Sequence, residues 1–119
     1  MSTTTNGIEA RPADLRRHFE SGATRAYAAR RDALRSLRKA IVENEEELLA
    51  AMRTDMRKPR FEAYMSDIGL VLGAIDHALK HLKEWMEPQR VHTPIAIQLS
   101  ESTVYNEPLG VVLIIAPWN

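Results

Sequence analysis

The sequence predicts an α/β protein of which this segment is mostly helical, with a β-hairpin and one further strand of a sheet that is covered on both faces. Three observations predict it. Apolar residues from Phe61 to Met86 recur at steps of three and four, the spacing of one helix face. Ile95, Ile97 and Leu99 alternate with Ala96 and Gln98, the period of a strand. Val111 to Ala116 are consecutive apolar residues, which suits a strand of a parallel sheet inside an α/β protein. Such a strand needs neighbours on each edge and helices above and below, so the chain is expected to be the opening piece of a larger protein.

The elements follow in order. Residues 1–11 are expected to be a flexible lead-in, polar at the start and without the apolar core of a signal peptide. Leu15 and Phe19, four apart, support a short helix over Arg11 to Ser21 that Gly22 closes, with Thr24 placed to cap the next. From Arg25, the residues Tyr27, Leu34, Leu37 and Ile41 line one face of an amphipathic helix, and Arg30, Arg31, Arg35 and Arg38 line the other. Asn44 followed by Glu47 resembles a capping box, so the helix should break there and restart through Leu48, Leu49, Met52 and Met56. Pro59 should end that segment by pushing Lys58 out of the α region. Phe61, Tyr64, Met65, Ile68, Val71, Leu72, Ile75, Leu79, Leu82 and Met86 then predict one helix of about seven turns, a core-forming stripe that stops before Pro88. Ile95–Leu99 and Thr103-Val104-Tyr105, joined by the polar turn Ser100-Glu101-Ser102, predict a hairpin. Glu107-Pro108-Leu109-Gly110 is a turn with Pro at its second position and Gly at its fourth, feeding the terminal strand.

Composition narrows the function classes. Sixteen basic and sixteen acidic side chains give a formal charge of zero, which offers no overall pull toward nucleic acid or an anionic membrane. There is no cysteine, hence no disulfide framework, thiolate metal site or thiol nucleophile in this stretch. No run approaches the roughly 20 apolar residues of a membrane span, so a soluble, cytoplasmic protein is expected.

Several residues invite a chemical reading. His77 and His81 are four apart, so a helix would place both imidazoles on one face at chelating distance; the alternative is a solvated helix face, and no metal site is assigned. The arginine face of the second helix could meet nucleic acid, but Glu43, Glu45, Glu46 and Glu47 follow at once and no aromatics are interleaved, which favours a solvated face with intrahelical ion pairs. A Gly-x-Ser-x-Gly elbow and a phosphate-cradling glycine loop are both absent. Pro117-Trp118-Asn119 lies just beyond the C-terminal end of a predicted buried strand, where open α/β sheets place ligands, though it also suits an ordinary loop.

Several stretches in order resemble the N-terminal part of an aldehyde dehydrogenase of the class 3 or fatty-aldehyde type. They are Leu15–Arg25, Glu43–Leu48, Asp55-Met-Arg-Lys-Pro59 with Phe61-Glu-Ala-Tyr64, Leu82–Pro88 and, most specifically, Glu107-Pro-Leu-Gly-Val-Val-Leu-Ile-Ile-Ala-Pro-Trp-Asn119. The resemblance implies that residues 12–88 are N-terminal helices packed on the cofactor domain. Residues 93–107 become the hairpin of an oligomerisation arm, and residues 108–119 the first strand of a Rossmann-like sheet. It implies oxidation of an aldehyde to a carboxylic acid with NAD or NADP, through a cysteine thiolate, a thiohemiacetal and a glutamate-activated water. Asn119 aligns with the family asparagine whose amide helps bind the oxyanion. Ile115, Ala116, Pro117 and Trp118, together with Asn119, align with positions lining the cofactor cleft, and Tyr64 lies near the substrate pocket in class 3 relatives. The implied partners are a small-molecule aldehyde and a second copy in a homodimer, with no nucleic acid and no membrane. The cysteine and the glutamate base find no counterpart in these residues, so the chain alone is expected to be inactive. The competing expectation, from a different class, is a helical interaction module that adds its terminal strands to a partner's sheet edge.

Overall fold

A computed structural model describes residues 5–97 and 99–116. The fold is mostly helical with a two-stranded antiparallel sheet, and it divides into two compact units. One contains the described residues up to Ala29 together with Lys83–Ile114, and the other is built on Arg30–Leu82.

In the first unit, α1 runs Thr5–Glu20, so the expected flexible lead-in is corrected from Thr5 onward. Pro12 lies inside this helix, and its missing N–H removes one bond of the ladder without ending it. The helix closes as expected. Ser21 N–H donates to the Arg17 carbonyl at 3.0 Å, and Gly22 takes φ 77, a left-handed conformation that glycine adopts without a Cβ clash.

The hairpin keeps its expected second strand at Thr103 and Val104, but its first strand is not Ile95–Leu99. Strand β1 is Gln89–Val91 and β2 is Ser102–Val104, with Arg90 opposite Thr103. The stretch from Ile95 to Ile97 is instead a 3₁₀ turn, closed by Ile97 N–H to the Pro94 carbonyl at 2.9 Å and continued by Ser100 N–H to the Ile97 carbonyl at 2.9 Å. Ile95 and Leu99 face solvent at 77% and 107% exposure, so their alternation has no buried face to serve. Thr93 supplies what periodicity could not show: its Oγ1 accepts the Ser102 N–H at 3.1 Å and so pins the loop to the start of β2. Beyond the hairpin, the Asn106 amide donates to the Trp85 carbonyl at 3.0 Å, tying the chain back to the end of the long helix. The turn expected over Glu107–Gly110 is not formed; Gly110 takes φ 95, and an added Cβ there would stand 3.5 Å from the Phe19 ring. Residues 112–116 form no ladder with any described residue, and Leu113, Ile114 and Ile115 are 85%, 82% and 87% exposed. The partners that a doubly covered strand requires are not among the described residues.

The second unit contains most of α2 (Tyr27–Glu43), all of α3 (Glu45–Met56) and α4 (Arg60–Ala63), and most of α5 (Gly69–Met86). The break at Asn44 is where the sequence placed it, but the mechanism differs. No side-chain cap reaches forward into α3; the Asn44 side-chain amide donates backward to the Ala40 carbonyl at 2.7 Å, which also accepts the Asn44 backbone N–H at 3.1 Å. Glu45, Glu46 and Glu47 then occupy the first turn of α3, where the helix dipole favours negative charge. Helix α3 ends at Arg57, which takes φ 54 and donates its N–H to the Arg53 carbonyl at 2.9 Å. Pro59 does not terminate α3 itself; extended at φ −61, ψ 144, it precedes α4, and its carbonyl accepts the Ala63 N–H at 2.9 Å.

The single helix expected over Phe61–Met86 is interrupted by one π turn, Tyr64–Ile68, in which the Gly69 N–H bonds the Tyr64 carbonyl five residues back. The core follows from it. Leu49, Ala63 and Ile68 are buried together, with Ile41, Met52 and Leu72 packed around them. Ile75 and Leu82 extend the buried stripe along α5 at seven-residue steps from Ile68. Phe61, Met65 and Val71, expected in that stripe, are 78%, 54% and 46% exposed. The extra residue in the π turn takes Phe61 off the phase expected of one unbroken helix; Val71 lies beyond that turn, which does not account for its exposure.

Truncating the side chain at the centre of this cluster should be expensive. Leu49→Ala is expected to lower unfolding stability by about 2–5 kcal/mol, read from urea unfolding with an unchanged slope.

Candidate functional site

The residues singled out for chemistry fall in three places. Ile115 and Ala116 are exposed and outside regular structure, while Pro117, Trp118 and Asn119 lie outside the described residues. Tyr64 opens the π turn. An added Cβ on Gly69 would crowd the Tyr64 carbonyl oxygen at 3.1 Å while making ordinary contact with its ring at 3.6 Å, so the glycine eases the close approach of the π-turn carbonyl. π turns occur frequently at functional sites, and here one fixes where Tyr64 stands.

Below the π turn is a polar group that no periodicity reveals. Lys58 Nζ meets Asp67 Oδ2 at 2.6 Å, with only 10% and 22% of the two side chains exposed. The Ser66 hydroxyl is within donating distance of the same Oδ2, at 2.9 Å, and of the Glu62 carbonyl, at 2.8 Å. Lysine and aspartate nine residues apart give no helical signal. They meet because Arg57 turns left-handed, Pro59 redirects the chain and the π turn re-aims Asp67. An open cleft of about 390 Å³ lies here, lined by Met56, Arg57, Lys58, Pro59, Glu62 and Ser66. Its lysine is engaged by Asp67, and the arrangement positions the π turn without supplying a nucleophile.

Two exposed ion pairs brace the same unit. Arg38 donates to both Asp76 oxygens, at 2.7 and 3.3 Å, joining α2 to α5; the expected intrahelical pairing gives way here to an interhelical one. Arg60 forks onto Glu46, with both bonds at 2.5 Å, joining α4 to α3. Hydrogen bonding from Arg38 holds the Asp76 carboxyl below its ordinary range, and the bond from Arg60 does the same for Glu46. On α5, His77 and His81 bring their ring centroids to 4.4 Å. Among the described residues no cluster of three or more His, Cys, Asp or Glu side chains could hold a metal, and no helix is long and apolar enough to cross a membrane.

The family is shown by comparison with known proteins. The model of the aldehyde dehydrogenase family matches residues 3–119, and the chain belongs to that family. Its relatives include members named as family 3. Family 3 member B2 of Mus musculus is 44% identical over 105 residues, covering 88% of this chain and 22% of that protein. An aldehyde dehydrogenase of Craterostigma plantagineum is 43% identical over 105 residues, with the same coverage of 88% and 22%. The 4,4'-diaponeurosporen-aldehyde dehydrogenase of Staphylococcus aureus is 39% identical over 114 residues, covering 96% and 25%. Among solved structures, the substrate-bound state of Staphylococcus aureus AldH matches with a TM-score of 0.82 at 35% identity, over 85% of this chain and 22% of that one. The chain therefore spans about a quarter or less of the length of these relatives.

Two outcomes are expected for the ionic groups. A carboxyl held below its ordinary range contributes stability that is present above that range and lost as pH falls through the lowered value. A carboxyl-detected NMR titration should therefore place the Asp76 midpoint below its ordinary 3.8, and Arg38→Met should move it back up. Lys58→Met should destabilise by about 1.5–3 kcal/mol in urea unfolding, since it strands a half-buried carboxylate, whereas Arg38→Met at the surface should cost less.

Proposed function

We propose that this chain supplies helices, one cofactor-cleft wall and one transition-state donor to an NAD- or NADP-dependent aldehyde dehydrogenase that converts an aldehyde to a carboxylic acid. The observation that carries this reading is the run Glu107–Asn119, inside a family match that extends over residues 3–119.

Ile115 and Ala116 suit a nicotinamide cofactor in one definite respect. Both side chains are apolar and exposed, so they can cover the face of an aromatic ring, while neither offers a donor to a phosphate. With Pro117 and Trp118 they would form the wall that holds the cofactor and excludes water from the reacting carbon. When bound, the cofactor accepts hydride from that carbon. Asn119 does the other part of the work: its side-chain amide donates a hydrogen bond to the substrate oxygen as negative charge gathers there. A donor fixed in advance lowers the barrier because it need not reorganise during the reaction, as solvent must. Tyr64, held by the π turn, is assigned to the substrate side.

The attacking group is read as a cysteine thiolate, and this sequence has no cysteine, so these residues are assigned no turnover of their own. The hairpin of β1 and β2 is assigned to the arm through which two copies associate, and the compartment to the cytoplasm.

Asn119→Ala in the whole enzyme should lower kcat by about 10²–10³ and leave cofactor affinity unchanged. Steady-state kinetics with a chemistry-limited aldehyde and fluorescence titration of the cofactor make the measurement. Unaltered turnover would remove Asn119 from the reaction.

A further inference from the structure

The ion pair at the π turn sits where it can aim a neighbouring side chain. The core ties both ends of the wide stretch, since Ala63 and Ile68 are buried in one cluster with Leu49. Between those ends the chain carries one residue more than an α-helix needs. Every peptide there offers the same donor and acceptor, so the backbone alone does not decide at which residue the excess falls. Moving it by one position turns the residue it passes by about 100° around the helix.

Tyr64 depends on that choice. It is 37% exposed, and no described residue hydrogen-bonds its hydroxyl, so the direction of its side chain comes chiefly from its backbone. Asp67, three residues on, is where other side chains hold the turn. Lys58 Nζ meets its Oδ2 at 2.6 Å, and the Ser66 hydroxyl lies 2.9 Å from the same oxygen. The two charged side chains are only 10% and 22% exposed, so neither charge is tolerable without the other and Asp67 keeps its place. The lysine end is fixed as well, between the left-handed Arg57 and the extended Pro59.

We propose that Lys58, acting through Asp67, is a positioning residue for the aldehyde: it holds the π turn in the one register that points Tyr64 at the substrate. This rests on the assignment of Tyr64 to the substrate side. Lys58 itself touches no substrate. Its effect therefore falls on recognition of the aldehyde and leaves the attack and the hydride step to other groups.

The test uses the whole enzyme with a chemistry-limited aldehyde, by steady-state kinetics and fluorescence titration of the cofactor. Tyr64→Ala should raise the aldehyde KM about two- to tenfold, with kcat and cofactor affinity unchanged. Lys58→Met should do the same. Combining the two should raise KM no further than Tyr64→Ala alone, because a residue that acts through Tyr64 then has nothing left to position. Arg38→Met, which breaks another ion pair of the same unit, should leave KM where it is. If Lys58→Met does not fold, Ser66→Ala, which removes only a hydroxyl beside Asp67, takes its place in the cycle and should shift KM in the same direction. An unchanged KM in the Lys58 or Ser66 variant beside a raised one in Tyr64→Ala, or effects that add in the double variant, would overturn the proposal and leave Tyr64 on the substrate side. An unchanged KM in Tyr64→Ala would overturn both.

Discussion

The hydrogen bond from the Gly69 N–H to the Tyr64 carbonyl, five residues back, sets the geometry of the helical unit. In an uninterrupted α-helix, residues five apart diverge by about 140° and cannot share a face. Ala63 and Ile68 are five apart, yet both are buried in the same cluster with Leu49. The π turn brings them into line, and from Ile68 the stripe through Ile75 and Leu82 continues in ordinary α register. Tyr64 and Asp67 take their places from the same turn. One wide turn thus fixes the core, the position of the tyrosine and the half-buried ion pair.

Charge is distributed according to what each pair must do. Arg38 with Asp76 and Arg60 with Glu46 sit at the surface, where water and salt weaken them, so they define which helices lie together more than they hold them there. Lys58 with Asp67 is different. Its charges are largely removed from water, and each is tolerable only while the other is present. The pair therefore enforces one conformation at the junction of α3 and α4, at the place where the chain takes its left-handed residue and then its proline.

Local signals in the sequence carried most of the helical architecture. Gly22, Asn44 and Pro59 mark real boundaries because each limits the backbone at its own position. The periodicity of Ile68, Leu72, Ile75, Leu79 and Leu82 survives because nothing interrupts α5. Other features depend on residues far apart or on a balance no pattern displays. The π turn looks like unbroken three-four spacing, since Tyr64, Met65 and Ile68 satisfy either register. The hairpin was placed on Ile95–Leu99 because alternation is the visible mark of a strand, but a strand forms where partners and turn chemistry permit, and Thr93 with Ser102 decided that. For the site, legibility was of another kind. Asn119 and its neighbours stand out by position only as a loop that could meet a ligand, and the role of Asn119 comes through resemblance, because an oxyanion donor is a single amide with no spacing of its own. Lys58 and Asp67 gave no signal at all.

The wide turn also governs how the chain can vary in length. A loop such as the one from His92 to Glu101 can lose or gain a residue at small cost, because closure entropy changes slowly with loop length. Helix α5 has no such latitude: losing one residue there would swing the two sides of the cut about 100° apart. The wide turn differs, because removing one residue from Tyr64–Ile68 would leave Ala63 four before Ile68, about 40° round and still on the buried face. Length is thus tightly specified in α5 and relaxed at the π turn, which holds one residue more than a regular helix needs.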